Sequence, residues 1–186
     1  MSFTRMSLRA VPLCAWLLLA ACAGDVAKPV AVQALAPEQQ ASLRISNVTG
    51  EAQAGVALLP YELDRMMQQI KLELSKTTIF VQPPTSGVTL ASTAAAAPPG
   101  TTSIKLVFTE YDKGNAFARA MLIGLGQIKI GADVFLFDDA TGQQIGQYRV
   151  AKQFAFGGIY GASTRVEDAE AGFAKSVAEV AKPAPK

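Results

Sequence analysis

Leu19-Ala20-Ala21-Cys22 is the run in this chain whose residue types and spacing prescribe a definite reaction. A thiol placed where an apolar segment gives way to small residues can be alkylated by a diacylglycerol, and cleavage between Ala21 and Cys22 then leaves an acylated N-terminus. The other groups able to do chemistry are carboxylates. Asp133, Asp138 and Asp139 form one set and Glu167, Asp168 and Glu170 another, and either could in principle serve glycoside hydrolysis or hold calcium. Their contexts favour plainer roles: the first set brackets a turn, the second opens a helix, and neither has the alternating ligand spacing of a calcium loop. The chain has 0 histidines, which removes Ser-His-Asp catalysis, imidazole general-base chemistry and His-ligated zinc. The expectation is a protein that is not an enzyme, with no catalytic residues, no metal and no cofactor.

What precedes Cys22 has the parts of a secretory leader in order. Arg5 and Arg9 carry positive charge, and Val11 to Ala21 is apolar and uncharged. That run is shorter than the roughly 20 residues a resident membrane helix requires. One acyl chain holds a protein only marginally, whereas the two glyceryl chains and an amide-linked third, at about 0.8 kcal/mol per buried methylene, make attachment durable. Ala23 stands where an aspartate would favour inner-membrane retention, so the expected location is the bacterial envelope, lipid-anchored to the outer membrane and facing the periplasm.

Loss of the leader changes the charge balance. The full chain has 17 basic and 15 acidic residues; removing Arg5 and Arg9 leaves 15 against 15. A nucleic-acid partner, which calls for a clustered positive surface, has no support. Of the 2 cysteines, Cys14 leaves with the leader and Cys22 is acylated, so neither a disulfide nor a thiol nucleophile remains.

The elements that follow are set by periodicity. Residues 22–41 read as the acylated cysteine and a flexible tether, which as a coil of about 18 residues would float the domain roughly 20 to 25 Å from the headgroups. A globular domain follows over 42–182, with a low-complexity loop at 83–102 and a disordered tail at 183–186. Leu43 to Val48 is expected as a strand, ended at Thr49-Gly50. Leu63, Met66, Met67, Ile70 and Leu74 share one face of a helix from Pro60 to Lys76. Thr77 to Val81 is a short strand, and alternation marks two further strands at Ile104 to Thr109 and Ile128 to Leu136. Asp138 to Gly142 carries turn chemistry, and Gln144 to Phe156 should return as the hairpin partner with an irregularity at Gly146. A last helix is expected from a capping box at Thr164 and Glu167, burying Val166, Ala169, Phe173, Val177 and Val180. The sum is an α+β domain: two helices packed on a mainly antiparallel sheet of about five strands. Val107, Phe135 and Phe137 point away from the main apolar rows, so the second sheet face is not wholly polar.

The segment Gly114 to Gly126 is apolar and studded with glycine. A phosphate loop is a poor match, because a following helix and a lysine with Ser or Thr are absent. A buried turn closing the core is one reading, and an exposed contact element is the other. Under the second, Phe117, Arg119, Met121, Leu122 and Ile123 would meet a partner.

Gly114-Asn115-Ala116, then Arg119, Ile123-Gly124-Leu125-Gly126, a strand, and Asp138 to Gly142 give the chain a resemblance. Over about Leu106 to Phe154 it resembles the bacterial lipoproteins of the domain of unknown function 4410 family, with Leu125 and Gln127 in place of an aromatic and a small residue. The resemblance implies an envelope lipoprotein with the α/β shape of secretion-associated and rare lipoproteins, and it supplies no catalytic residues. The functional expectation is a non-enzymatic interaction or assembly module with an envelope protein partner or a second copy of itself. The alternative is a periplasmic binding module for a small apolar or lipid-like ligand.

Overall fold

Alternation of apolar with mostly polar side chains along three long strands builds the centre of the sheet. In the computed structural model, which describes residues 27–81, 100–121, 126–154 and 164–182, these strands are β4 (Thr102–Asp112), β5 (Ile128–Asp138) and β6 (Gln144–Phe154), joined as an antiparallel meander. Ile104, Leu106, Phe108, Ile130, Ala132, Val134, Leu136 and Val150 all point to one face and are buried. β2 (Arg44–Ala52) runs parallel to β4, and the two-residue β3 (Ile79–Phe80) runs parallel to β2. β1 (Val30–Gln33) closes the other edge antiparallel to β6, giving the order β1-β6-β5-β4-β2-β3.

Two long helices, α2 (Pro60–Thr77) and α4 (Val166–Glu179), cover the apolar face, while α1 (Pro37–Ala41) and α3 (Ala116–Met121) are short. Met66, Met67, Ile70 and Leu74 of α2 are buried as their spacing predicts, with Leu63 partly so. From α4, Phe173 sets its ring 5.8 Å from that of Phe108 on the sheet. The class is α+β, as expected, with three antiparallel and two parallel strand pairings. The register slips between Leu136 and Phe137 as they pair with Gly146 and Gln144, which places the irregularity where the glycine suggested.

Three local expectations are revised. Within residues 22–41, the described part is the strand β1 and the helix α1 rather than a coil. Leu35, 6% exposed, drops over Gly146, and its N–H donates to the Tyr148 hydroxyl at 3.0 Å, so one buried leucine pins a segment whose own pattern is weak. β2 does not stop at Thr49-Gly50 but continues to Ala52. Gly50 lies beneath the Met67 thioether, where a β-carbon would come within 2.5 Å of sulfur, so the glycine is there for close approach rather than for a turn. The last helix starts one residue later than expected: its N-cap is Arg165, whose N–H donates to Asp168 Oδ2 at 3.0 Å, rather than Thr164.

The other sheet face is mixed, as Val107, Phe135 and Phe137 implied; all three are half-buried. Lys105–Glu51 (3.0 Å) and Arg149–Asp133 (3.0 Å) span neighbouring strands there. Among the described residues no helix is long and apolar enough to cross a membrane. The segment read as a leader, Ala21 and Cys22, the 83–99 part of the expected low-complexity loop, the glycines after β6 and residues 183–186 lie outside the described residues.

Candidate functional site

The connection between β4 and β5 is built on a clasp of two glycines. Gly114 has φ +64° and Gly126 φ +69°, both in the left-handed region that side chains avoid. A β-carbon on Gly114 would stand 2.3 Å from the Gly126 carbonyl oxygen, which is overlap, so only glycine lets the strands leave the sheet this close together. Two bonds fix the closure. The Asn115 N–H donates to the Gly126 carbonyl at 3.1 Å, and the Gly114 N–H donates to Asp112 Oδ1 at 2.8 Å. Asn115 then caps α3, its Oδ1 accepting from the Ala118 N–H at 3.0 Å.

A six-residue helix is too short to persist in water on its own propensity. α3 exists because the clasp presents it, and what it presents is apolar. Phe117 and Met121, four residues apart and so on one face, are 71% and 68% exposed. These two candidate contact residues stand outside the core, which does not fit the buried-turn reading. Leu122 and Ile123 lie outside the described residues, as does the side chain of Arg119.

Beneath the clasp lies a polar network that the sequence did not reveal. Glu170 on α4 has no exposure, yet it accepts two bonds from Arg65 of α2, at 2.8 Å from Nε and 2.7 Å from Nη2, and a third from the Tyr111 hydroxyl at 2.7 Å. A fork-to-fork pair of this kind satisfies a buried charge. Glu62, 3% exposed, receives Lys113 Nζ at 2.6 Å and the Leu59 N–H at 3.1 Å, while Lys113 sits 5.9 Å above the Tyr111 ring. The end of β4 is thereby bolted to both long helices just before Gly114. A recognisable signal existed: Glu170 falls between Ala169 and Phe173 on the apolar stripe of α4, where an unpaired carboxylate would be untenable.

Electrostatics follow from this wiring. The Glu170 bond holds the Arg65 guanidinium in its charged form, raising it above its ordinary range. Burial, then the bond to Glu170, pushes the Tyr111 phenol well up, so it stays a neutral donor. For Glu62, burial raises the carboxyl, but Lys113 and the Leu59 amide outweigh it and the net is below the ordinary value.

The remaining carboxylates have structural duties. Asp133 pairs with Arg149, and Asp138 accepts from the Thr141 N–H at 2.8 Å within the turn. Asp139 accepts from the hydroxyls of Ser46 and Ser103, which outweigh its burial and hold it below the usual range. Asp168 caps α4, and Glu167 lies 3.8 Å from Arg65. Among the described residues no three of the ligand-type side chains gather as they would for a metal.

No curated protein matches the chain. Among solved structures it is similar to a single-substitution variant of the PelC dodecamer from Paraburkholderia phytofirmans, with 12% identity and a TM-score of 0.48 over 83% of this chain and 95% of that one. A second PelC dodecamer from the same organism gives 12% and 0.45, over 74% and 87%. A candidate lipoprotein from Caulobacter crescentus gives 16% and 0.38, over 76% and 86%. The family model described as Domain of unknown function (DUF4410) matches residues 60–158, more than half of the chain and all of α2, the clasp and the meander, and the protein belongs to that family.

Proposed function

We propose that the protein is a non-enzymatic lipoprotein of the bacterial envelope, acylated at Cys22, whose domain assembles with another envelope component, a second copy included, through the α3 element. The observation that carries this reading is the display of Phe117 and Met121, more than two-thirds exposed, on a clasp bolted to the core. Isolated exposed apolar residues are ordinary, but a rigid mount presenting two of them on one helix face is the anatomy of a contact site. The two described cavities are open and lined by residues such as Arg44, Lys76 and Thr77, surroundings that suit an apolar ligand poorly.

The double variant Phe117→Ser/Met121→Ser tests this. Because neither side chain is in the core, its thermal unfolding should match the parent within about 0.5 kcal/mol. Sedimentation of the parent should show association that the variant lacks. Marked destabilisation would mean that the two residues are core, and unchanged association would mean that α3 is not the contact.

A further inference from the structure

The structure shortens the tether drastically. The Ala27 N–H donates to Ser176 Oγ at 2.9 Å, and that hydroxyl, itself buried, donates to the Gly172 carbonyl at 2.9 Å. The domain therefore takes hold of the chain at Ala27, five residues after Cys22. Fully extended, five residues reach only about 17 to 18 Å. On a leash of that length the tethered end of the domain stays within about 18 Å of the lipid surface, close enough for a face beside Ala27 to meet it.

The nearest suitable face is basic. Ser176 follows Lys175 on α4, and Ala181, in the turn just past the end of that helix, borders an open cavity of about 460 Å³. Gln40, Ser42, Arg44, Lys76 and Thr77 line it as well. A smaller cavity of about 180 Å³ adjoins it at Thr77 and is lined by Glu73, Lys175, Glu179 and Lys182. The two together hold four basic side chains (Arg44, Lys76, Lys175, Lys182) against two acidic ones (Glu73, Glu179). Lys76 and Lys182 are engaged by Glu73 and Glu179, whereas Arg44 and Lys175 have no ion-pair partner among the described residues. In a chain whose mature charge is balanced, a local excess beside the leash is a directed feature, and charge complementarity with phosphate headgroups follows.

Resting on the acylation of Cys22 proposed above, we infer that the end of the domain formed by the last turns of α2 and α4 and the α1–β2 junction docks on an anionic bilayer, with Arg44 and Lys175 contacting lipid phosphates. The α3 element, at the opposite end of the strands, is thereby turned toward the periplasmic space. Lipid docking and partner contact occupy different ends of one molecule.

The test uses the full acylated chain, with Ser42→Cys or Asn115→Cys as the single labelling thiol. Each is reconstituted in phosphatidylglycerol-containing vesicles bearing a headgroup nitroxide. A fluorophore at position 42 should be quenched at least fivefold more than one at 115, and Arg44→Glu/Lys175→Glu, or vesicles of phosphatidylcholine alone, should sharply reduce the difference to what the leash alone imposes. Equal quenching at the two positions, or quenching indifferent to charge reversal, overturns the docking. Mass spectrometry of the same samples separates the two readings: a chain without acyl groups refutes the anchor and the docking together, while an acylated chain with equal quenching refutes the docking alone.

Discussion

Arg65→Met should cost about 3 to 5 kcal/mol, the range found when one partner of a buried ion pair is removed. Arg65 reaches solvent, with a third of its side chain exposed, but Glu170 has none, so the loss falls on a carboxylate left with the Tyr111 hydroxyl. In thermal unfolding the expected drop is roughly 10 °C or more for a domain of this size. The sign of the compensating experiment is equally definite. Replacing the whole group, in Arg65→Met/Tyr111→Phe/Glu170→Leu, leaves no orphaned polar atom and should recover most of the loss, since a buried pair exchanged for apolar residues is often neutral or stabilising. A triple variant as unstable as the single one would show that the network itself, rather than the orphaned charge, carries the stability. Arg65→Lys should fall between, because an ammonium cannot make the two parallel bonds to Glu170.

Gly114→Ala should be the most damaging change outside the core. A left-handed conformation costs a non-glycine residue about 1 to 2 kcal/mol, and here the new methyl must also displace the Gly126 carbonyl, 2.3 Å away. Gly142→Ala is the control: φ is +68°, yet nothing lies within 4 Å, so only the conformational cost remains. Native-state hydrogen exchange should distinguish the two. In Gly114→Ala the Asn115 amide should lose its protection, together with α3, while the amides at the centres of β4 and β5 keep theirs. Equal losses at the two glycines would mean that the clasp is not a close approach.

The elements that were legible were those in which one period dominates. α2 declared itself through five apolar residues at helical spacing, and β4 and β5 through alternation over most of their lengths. β1 was illegible because an edge strand of four residues, all exposed, carries no burial pattern; it is ordered by Leu35 and Tyr148, which lie outside it. Phe117 and Met121 could be picked out because apolar residues between glycines are conspicuous, but whether they faced in or out depended on the clasp. Clasp and network alike depend on contacts far apart in sequence: Glu62 meets Lys113, and Arg65 meets Glu170. Glu170 was the instructive case. Grouped with Glu167 and Asp168 it looked like an acidic helix start, whereas its place on the apolar stripe is what demanded a partner.

The central claim, that α3 is a contact surface of a lipid-anchored domain, is tested most directly by photo-crosslinking in intact cells. A photoreactive residue placed at Phe117 should give a light-dependent adduct with a protein neighbour, and the same residue at the exposed Thr141, at the other end of the strands, should give none. No protein adduct at 117, or adducts of equal yield at both positions, would contradict it.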